Sequence, residues 1–328
     1  MIVDHQTHWY PEAAFRLLGG TSGYPRAERR GDTWYVQAAP GFELAYAPSH
    51  YELELHVESM DEHGIDAMVA ATAGLGDVAG LDAGLAVELT QLLNEEYARA
   101  QRELPGRFYG LACLPLQEPD RALQMLELAL GDLELCGLYV PSNLAGEPVV
   151  RDDLLPVYEM LAGAGRPLVL HPAMATVMAP AYGRFGREVE MTAWRFDSTL
   201  TALALVYGGV MDAVPDLVVV HPHLGGALPF VADRIASLDA ARSADRPPAR
   251  PALEYFRERC YADTVGNTPG ALTMASEFYG ADRIVFATDH PWVPRAVARN
   301  RIDAELEEAQ RERVLSGNRV PGLCEVAA

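Results

Sequence analysis

Eight short apolar segments rich in β-branched residues recur at wide intervals along the chain, and this repetition constrains the fold more than any other feature. Two of them, at 217–220 and 284–287, are continuously apolar rather than alternating. Continuous runs are typical of parallel strands that helices cover on both faces. We therefore expect buried parallel strands at 2–8, 66–72, 108–114, 136–140, 167–171, 217–221, 260–264 and 284–289.

Segments with helical periodicity separate most of these strands. The expected helices cover 81–104, 119–130, 152–164, 199–214, 227–240, 269–279 and 293–315, with another near 51–63. A strand followed by a helix, repeated along the whole chain, is the pattern of a (β/α)8 TIM barrel, and 328 residues is an ordinary length for that fold. The sequence therefore predicts a single α/β domain that spans residues 1–328.

Residues 12–50 interrupt the alternation directly after the first strand. They contain two runs, 31–36 and 42–46, that would pair as a hairpin. Long connections in compact domains are usually functional, and this one leaves the end of a strand where barrel enzymes carry their catalytic residues. We expect a cap insertion over the pocket; the alternative is a surface excursion without a role in the site.

The charge balance excludes some classes of partner. The chain has 26 basic and 46 acidic residues, a net charge of −20, and no run of Lys and Arg, so nucleic acid and anionic membranes would be repelled. No stretch reaches the roughly 18 apolar residues of a membrane span, and the opening residues lack the features of a signal peptide. The four cysteines include no CxxC pair, so we expect no disulfides and a cytoplasmic location. Because the net charge disfavours nucleic acid and anionic membranes, we expect the partner to be a small molecule.

Polar side chains gather where the predicted strands end, which is the catalytic edge of a barrel. Asp289 ends the last strand, and six of the nine histidines lie at or beside strand ends: His5, His8, His171, His221, His223 and His290. We expect surface positions for the other three, which are His50, His56 and His63.

His8, His171 and Asp289 are the most informative of these residues. Two imidazoles and one carboxylate suit a catalytic zinc with an open position, or an iron or manganese with several. His223, one strand further round, would be free to move protons near neutral pH. A single such histidine is more often a hydrogen-bonded core residue, but three strands that end in this way favour a metal site.

The turn after the sixth strand reads His-Leu-Gly-Gly at 223–226. Glycines let the backbone approach a ligand closely, and a helix that begins there would favour an anion. Tight packing between strand and helix is the alternative explanation for these glycines.

At these residues the chain resembles the amidohydrolase-related proteins grouped with aminocarboxymuconate semialdehyde decarboxylase. The similar segments follow one another in order over nearly the whole chain, at 3–11, 60–66, 105–108, 114–117, 170–172, 223–229, 287–291 and 317–318. The resemblance implies a metal-dependent (β/α)8 enzyme, often a homodimer, that decarboxylates enol-like or aromatic acids or hydrolyses or hydrates its substrate. It also implies that His8, His171 and Asp289 are metal ligands and that His223 activates water or shuttles protons.

Gln6 departs from the family pattern, which has His or Glu two residues before His8. A glutamine offers only a neutral amide oxygen, a poorer ligand than imidazole or carboxylate. His5 is adjacent, but neighbouring residues of a strand face opposite sides unless the strand is bulged. Either three ligands hold the metal, with Gln6 weak or outside the ligand shell, or metal binding has been lost.

We therefore expect a carbon–carbon lyase, a decarboxylase of a small planar or unsaturated carboxylic acid, in which His223 and Asp289 move protons. One divalent metal is expected, zinc first and manganese or iron as alternatives. A metal-dependent hydrolase is the second hypothesis. A metal-free acid–base enzyme (a cyclase or isomerase), or a non-catalytic binding protein, is the third.

The lyase is favoured because the resemblance points to decarboxylases and because residues 139–141 at the fourth strand end contain no lysine that could bridge two metals. An arginine with aromatic neighbours would suit a planar acid. The expected substrate contacts are therefore Trp34, Trp194, Arg195 and His221. The alternative for the aromatic residues of the cap is that they pack it against the barrel.

Overall fold

A computed structural model describes residues 1–39, 42–241, 247–266 and 270–324. In these residues the strands are β1 (Val3–Thr7), β2 (Arg26–Arg30), β3 (Thr33–Ala39), β4 (Phe42–Tyr46), β5 (Ala67–Ala70), β6 (Phe108–Ala112), β7 (Gly137–Pro141), β8 (Leu168–His171), β9 (Val219–His221), β10 (Cys260–Asp263) and β11 (Ile284–Val285). Eight of them form one parallel sheet in the order β1-β5-β6-β7-β8-β9-β10-β11.

Backbone hydrogen bonds join the last strand of this sheet to the first. The N–H of His5 donates to the carbonyl of Phe286 at 2.9 Å, and the N–H of His8 donates to the carbonyl of His290 at 2.8 Å. Every residue of β1, β6 and β7 is buried, because side chains fill the inside and helices cover the outside. The (β/α)8 barrel predicted from the apolar runs is confirmed.

The helices of the described residues are α1 (Glu12–Leu18), α2 (Pro48–Tyr51), α3 (Leu53–Glu62), α4 (Ala83–Glu103), α5 (Pro119–Leu130), α6 (Leu155–Gly163), α7 (Ala179–Tyr182), α8 (Arg187–Tyr207), α9 (Val210–Ala213), α10 (Ala232–Ala240), α11 (Ala252–Arg259), α12 (Ala271–Tyr279), α13 (Arg295–Glu305) and α14 (Glu308–Glu312). Within that part of the chain, none combines the length and the apolar character that crossing a membrane requires.

The helix predicted at 199–214 is wrong at its beginning, since α8 begins twelve residues earlier, at Arg187. The added turns have no buried apolar stripe, because Phe196 is exposed and Met191 and Trp194 line a cavity. A periodicity argument that looks for a buried stripe therefore misses them. Helix α11 was not predicted, and the predicted helix 293–315 is divided into α13 and α14.

Segment 12–50 forms α1 and a separate antiparallel sheet of β2, β3 and β4. The predicted hairpin is present as β3 and β4, and its connecting residues 40–41 lie outside the described residues. Its aromatic side chains pack inward: Trp34 stacks on Phe15 with ring centroids 5.7 Å apart, and Tyr46 meets Tyr10 of the barrel at 4.8 Å. These contacts bury Tyr46 completely and fix the segment on the barrel.

The expected surface position of His56 is wrong. His56 is completely buried on the inner side of α3, where its ring lies 4.9 Å from that of His290. His50 is half-buried and packs against Trp292 at 4.7 Å between ring centroids. The helical pattern around α3 did not reveal that this side of the helix faces the closing seam of the barrel.

Candidate metal centre and cavity

The ends of three barrel strands bring His8, His171 and Asp289 together. His8 follows β1, His171 ends β8, and Asp289 follows β11. One ligand atom from each of the three lies within 4.8 Å of the others. Asp289 has a φ of +65°, an uncommon backbone conformation that clusters at functional sites. The three residues predicted to share a site therefore do share one.

Backbone carbonyls orient the two imidazoles. The Nδ1 atom of His8 donates to the carbonyl of Ala71 at 3.1 Å, and that of His171 donates to the carbonyl of Pro172 at 3.0 Å. Carbonyl oxygens only accept hydrogen bonds, so Nδ1 carries the proton of each ring and Nε2 carries the lone pair. This is the arrangement in which proteins present imidazole to a metal ion.

The Nε2 atoms fit a cation. The Nε2 atom of His8 lies 2.9 Å from Oδ1 of Asp289, and two electron-rich atoms at that distance need a positive charge between them, from a proton or a metal ion. The Nε2 atom of His171 is buried and has no hydrogen-bond partner among the described residues. Buried polar atoms are rarely left unsatisfied, so this donor set fits a divalent metal.

The protonation states of His171 and Asp289 also suit the binding of a metal ion. Burial, together with the neighbouring His8, lowers the pKa of His171 to about 3. Burial alone would raise the pKa of Asp289, but the contact with His8 and the nearby His223 and His171 lower it below its usual value. A neutral imidazole and an ionised carboxylate are the forms that bind metal ions.

Gln6 lies beside this group. Its side chain is nearly buried, and its amide nitrogen donates to Oδ1 of Asp289 at 3.4 Å. The pairing of β1 is irregular between Asp4 and Thr7, yet His5 does not take the place of Gln6, because its Nδ1 atom lies at the carbonyls of Val3 and Phe286. The geometry therefore matches the alternative in which three residues hold the metal and Gln6 lies beside one of them, Asp289.

We expect Gln6→His to tighten the binding of a divalent metal by about ten-fold, because an imidazole would add a ligand where the amide now contacts Asp289. Competition with a fluorescent chelator measures this affinity. Gln6→Leu, which removes the amide without adding a ligand, is the control and should not tighten binding. An unaltered affinity in Gln6→His would place position 6 outside the ligand shell.

His223 follows β9 in a turn with left-handed backbone. The φ of His223 is +57° and that of Leu224 is +58°. The side chain of Asp263 holds this turn, because its Oδ1 atom accepts the N–H of His223 at 2.8 Å. Burial raises the pKa of Asp263 to about 8. Sequence reasoning overlooked Asp263, although it is a polar residue at the end of an apolar strand, the same pattern that revealed His171.

The imidazole of His223 lies against the candidate metal ligands, with its ring centroid 5.7 Å from that of His171. Its Nδ1 atom is buried without a hydrogen-bond partner among the described residues. Burial, and then the positive charge of Arg195, lower the pKa of His223 well below 6.5. The ring is therefore neutral near pH 7. The ordinary pKa that the sequence led us to expect for His223 is wrong, because burial disfavours the charged imidazolium.

His221 and Trp34 do not line the cavity, contrary to the substrate contacts expected of them. His221 is buried on the side of β9 that faces away from the cavity, where its Nδ1 atom lies 3.0 Å from the hydroxyl of Tyr279. The left-handed turn that follows it rotates His223, and not His221, toward the metal centre. Trp34 packs inside segment 12–50 and donates to Glu12 at 3.2 Å.

A cavity of about 390 Å³ opens in front of the metal centre, a volume within the usual range for small-molecule sites. Trp194 and Arg195 both line it, and their contact with substrate stays a prediction. The remaining walls are mainly apolar and include Tyr10, Leu44, Met174, Met191 and Trp292. An arginine of α13, Arg301, also reaches the cavity.

Three carboxylates that sequence reasoning missed hold the loop after β8, which forms one wall of the cavity. Each accepts a backbone N–H of the loop: Asp77 that of Met174 at 2.6 Å, Glu190 that of Thr176 at 2.6 Å, and Asp197 that of Val177 at 3.1 Å. Only the fold reveals this function, because the three residues are scattered along the sequence.

The glycines at 225–226 serve packing rather than a ligand. A side chain at Gly226 would lie 2.5 Å from the carbonyl oxygen of Arg195 and 2.5 Å from the hydroxyl of Thr199, and one at Gly225 would lie 2.4 Å from the hydroxyl of Tyr279. The turn also begins no long helix. The expected close approach of this backbone to an anion is therefore wrong, and the packing alternative is correct.

We expect Gly226→Ala to lower the free energy of unfolding by about 3 kcal/mol, because the methyl group meets backbone and the φ of +60° strains alanine. Gly64→Ala is a matched control, since Gly64 has a φ of +62° and open space around it; its cost should be about 1 kcal/mol. Urea unfolding of both variants measures the difference, and equal losses would contradict the packing argument.

Comparison with known proteins identifies a family and several similar decarboxylases. The family model described as Amidohydrolase matches residues 3–318. Gamma-resorcylate decarboxylase of Polaromonas sp. strain JS666 is 30% identical over 284 residues, which cover 80% of this chain and 84% of that protein. The 2-amino-3-carboxymuconate-6-semialdehyde decarboxylase of Dictyostelium discoideum is 26% identical over 276 residues, or 82% of this chain and 75% of that protein.

A crystal structure of a decarboxylase also has a similar fold. The dihydroxybenzoic acid decarboxylase of Polaromonas sp. JS666, with bound manganese and the inhibitor 2-nitroresorcinol, superimposes with a TM-score of 0.80 at 25% identity. The superposition covers 97% of this chain and 95% of that one.

Proposed function

Because the chain belongs to the amidohydrolase family, we propose that it is a metal-dependent decarboxylase of an aromatic carboxylic acid. The resemblance noted in the sequence is thereby confirmed. The observation that carries the proposal is the buried Nε2 atom of His171, which has no partner among the described residues and faces His8 and Asp289 at the cavity. The relatives that we describe are decarboxylases, which favours the lyase over the hydrolase and the metal-free enzyme.

In this proposal Nε2 of His8, Nε2 of His171 and the carboxylate of Asp289 hold one divalent metal ion. When bound, such an ion supplies Lewis-acid chemistry, since it withdraws negative charge from the oxygen atoms of an acid and fixes their orientation. The manganese in the Polaromonas enzyme makes manganese, rather than the zinc expected from the sequence, the first ion to test.

His223 and Asp289 move the proton. Decarboxylation breaks the bond between the ring and the carboxyl group, leaves the electron pair on the ring carbon and releases carbon dioxide, and a proton then takes the vacated position. The reacting acid is itself a carboxylate, so this proton comes from solvent. The neutral imidazole of His223 can take it up and deliver it to the ring carbon, and the ionised carboxylate of Asp289 is the second group that can do so.

The apolar walls keep water from the reacting carboxylate. Its charge disperses as carbon dioxide forms, so an environment less polar than water favours the transition state over the bound acid. Trp194 is fixed for this purpose by a hydrogen bond from its indole N–H to the carbonyl of Met174 at 3.2 Å. We further propose that segment 12–50 acts as a fixed cap, which contributes Leu44 to the wall.

A screen of aromatic carboxylic acids for carbon dioxide release tests the proposed function. The protein would be treated with a chelator and reloaded with manganese, zinc or iron(II) in separate samples. We expect turnover of at least one acid, lost on chelation and restored most fully by manganese. Turnover that chelation does not affect, or hydrolysis of esters or lactones without carbon dioxide, would argue against a metal-dependent decarboxylase.

We also propose that the chain forms a homodimer through the exposed side of residues 177–200, which include α7 and most of α8. Large apolar side chains are exposed there, and contiguous exposed apolar surface marks interaction sites. They are Val177, Tyr182, Phe185, Val189, Phe196 and Leu200. Light scattering should give twice the chain mass for the native protein and the chain mass for a Phe196→Asp, Leu200→Asp variant; a native monomer would contradict the proposal.

The proposed location is the cytoplasm. Cys113, Cys136 and Cys260 are buried as free thiols, which supports a reducing compartment.

A further inference from the structure

Specific hydrogen bonds hold the backbone that carries Asp289, where the barrel closes. Asp289 has a left-handed φ of +65°, which is unfavourable for a residue with a side chain, so neighbouring groups must maintain it. The three consecutive N–H groups of residues 288–290 all donate to acceptors in this region. The acceptors are Oδ1 of Asp4 at 2.9 Å, the carbonyl of Gln6 at 3.0 Å and Oγ1 of Thr288 at 3.1 Å. These bonds fix the direction in which the carboxylate of Asp289 leaves the chain.

The hydroxyl of Thr288 joins two of these contacts. It accepts the N–H of His290 at 3.1 Å and donates to Oδ2 of Asp4 at 2.6 Å. Asp4 therefore binds both the backbone and the side chain of Thr288. Through that hydroxyl it also fixes the residue that follows Asp289. Thr288 is almost completely buried, so these bonds are removed from bulk water.

Asp4 is itself held in place. Its side chain is completely buried and lies 3.4 Å from the equally buried Nε atom of Arg295. Nη1 of Arg295 also donates to the carbonyl of His56 at 3.1 Å. A fully buried ion pair adds little net stability, because both groups lose their hydration. The bonds that Asp4 makes to Thr288, next to the candidate metal centre, explain the pair better than stability does.

The side chain that holds Thr288 and one candidate metal ligand belong to the same part of the chain. Asp4 lies in β1, and His8 directly follows that strand. The N–H of His8 donates to the carbonyl of His290 at 2.8 Å. Contacts that fix residues 288–290 against β1 therefore also set the distance between Nε2 of His8 and Oδ1 of Asp289, which is 2.9 Å.

We propose that Asp4 and Thr288 are positioning residues, which hold the carboxylate of Asp289 at the spacing from His8 that binds a divalent metal ion. Removal of a group that orients a metal ligand typically weakens metal binding by about 10- to 100-fold. The inference rests on the metal centre of the proposed function. It adds that the metal affinity depends on the hydroxyl of Thr288, which lies outside the ligand set.

Competition with a fluorescent chelator for manganese, on protein first freed of metal, tests the inference. Thr288→Val keeps the shape of the side chain and removes the hydroxyl. We expect its dissociation constant for manganese to be higher by about ten-fold or more. Thr288→Ser keeps the hydroxyl and loses only the methyl group, so it should bind manganese as tightly as the native protein.

Thr201→Val is the matched control. The hydroxyl of Thr201, in α8, is also buried and donates to a backbone carbonyl, that of Ser142 at 2.5 Å. The control therefore loses a buried hydrogen bond of a similar kind, but its affinity for manganese should equal that of the native protein. Thr288→Ala, which leaves room for water beside Asp4, replaces Thr288→Val if circular dichroism shows that the latter is not folded.

The inference is overturned if the variant without the Thr288 hydroxyl binds manganese as tightly as the native protein. It is also overturned if Thr288→Ser binds as weakly as that variant, or if Thr201→Val weakens binding to the same extent. A native protein that binds manganese but releases no carbon dioxide would count against the proposed decarboxylase alone. A native protein that binds no divalent metal would overturn both proposals.

Discussion

Replacement of His171 by alanine is expected to remove metal binding and activity together. The imidazole of His171 is buried, neutral and held by Pro172 so that its lone pair faces His8 and Asp289. Without it two ligands remain, and we expect the affinity for manganese to fall by at least about a hundred-fold, the upper end of what the loss of a supporting residue costs. Metal content by mass spectrometry and carbon dioxide release measure the two losses.

His63→Ala is the matched control for that substitution. His63 lies at the end of α3, and its Nδ1 atom lies 2.8 Å from the carbonyl of Ser59, away from the cavity. Its metal content and activity should equal those of the native protein. Full metal occupancy in His171→Ala would remove His171 from the ligand set.

Replacement of His223 by alanine is expected to separate metal binding from catalysis. Its Nδ1 atom is buried and without a partner among the described residues, and it lies beside the ligand group without belonging to it. Loss of a positioned proton carrier typically costs about 10²–10⁴ in rate, so kcat should fall by that factor while metal content stays near that of the native protein.

His223→Gln tests whether the ring or only its hydrogen-bonding capacity matters. An amide cannot accept and release a proton near neutral pH, so we expect the activity of this variant to be as low as that of the alanine variant. Near-native activity in either variant, at full metal occupancy, would show that His223 does not carry the proton.

Much of the barrel and of the candidate metal centre was predictable from the sequence. The runs at 217–220 and 284–287 are apolar throughout because both faces of their strands are buried. Parallel strands end at one common edge, so His8 and His171, which terminate two such runs, must lie at the same mouth. These inferences depend only on residue type and order along the chain.

Other predictions failed because they depended on orientation. His221 and His223 are two residues apart, yet only His223 reaches the cavity, because the left-handed φ of +57° at His223 changes the direction of the chain. His56 lies in a helix with an ordinary pattern, and its burial is a result of where the barrel closes. Asp263 was missed although it ends a strand, since its partner, the N–H of His223, is distant in sequence.

The sequence by itself therefore determined the alternation of buried strands and helices, and with it the barrel and the edge at which His8, His171 and Asp289 collect. These follow from the local hydrophobic pattern and from the common polarity of parallel strands. Only the tertiary structure decided that Gln6 lies beside Asp289, that Trp34 packs inside the cap and that Asp263 holds the turn of His223. Those outcomes depend on backbone torsions and on contacts between residues far apart in the chain, which a one-dimensional pattern does not encode.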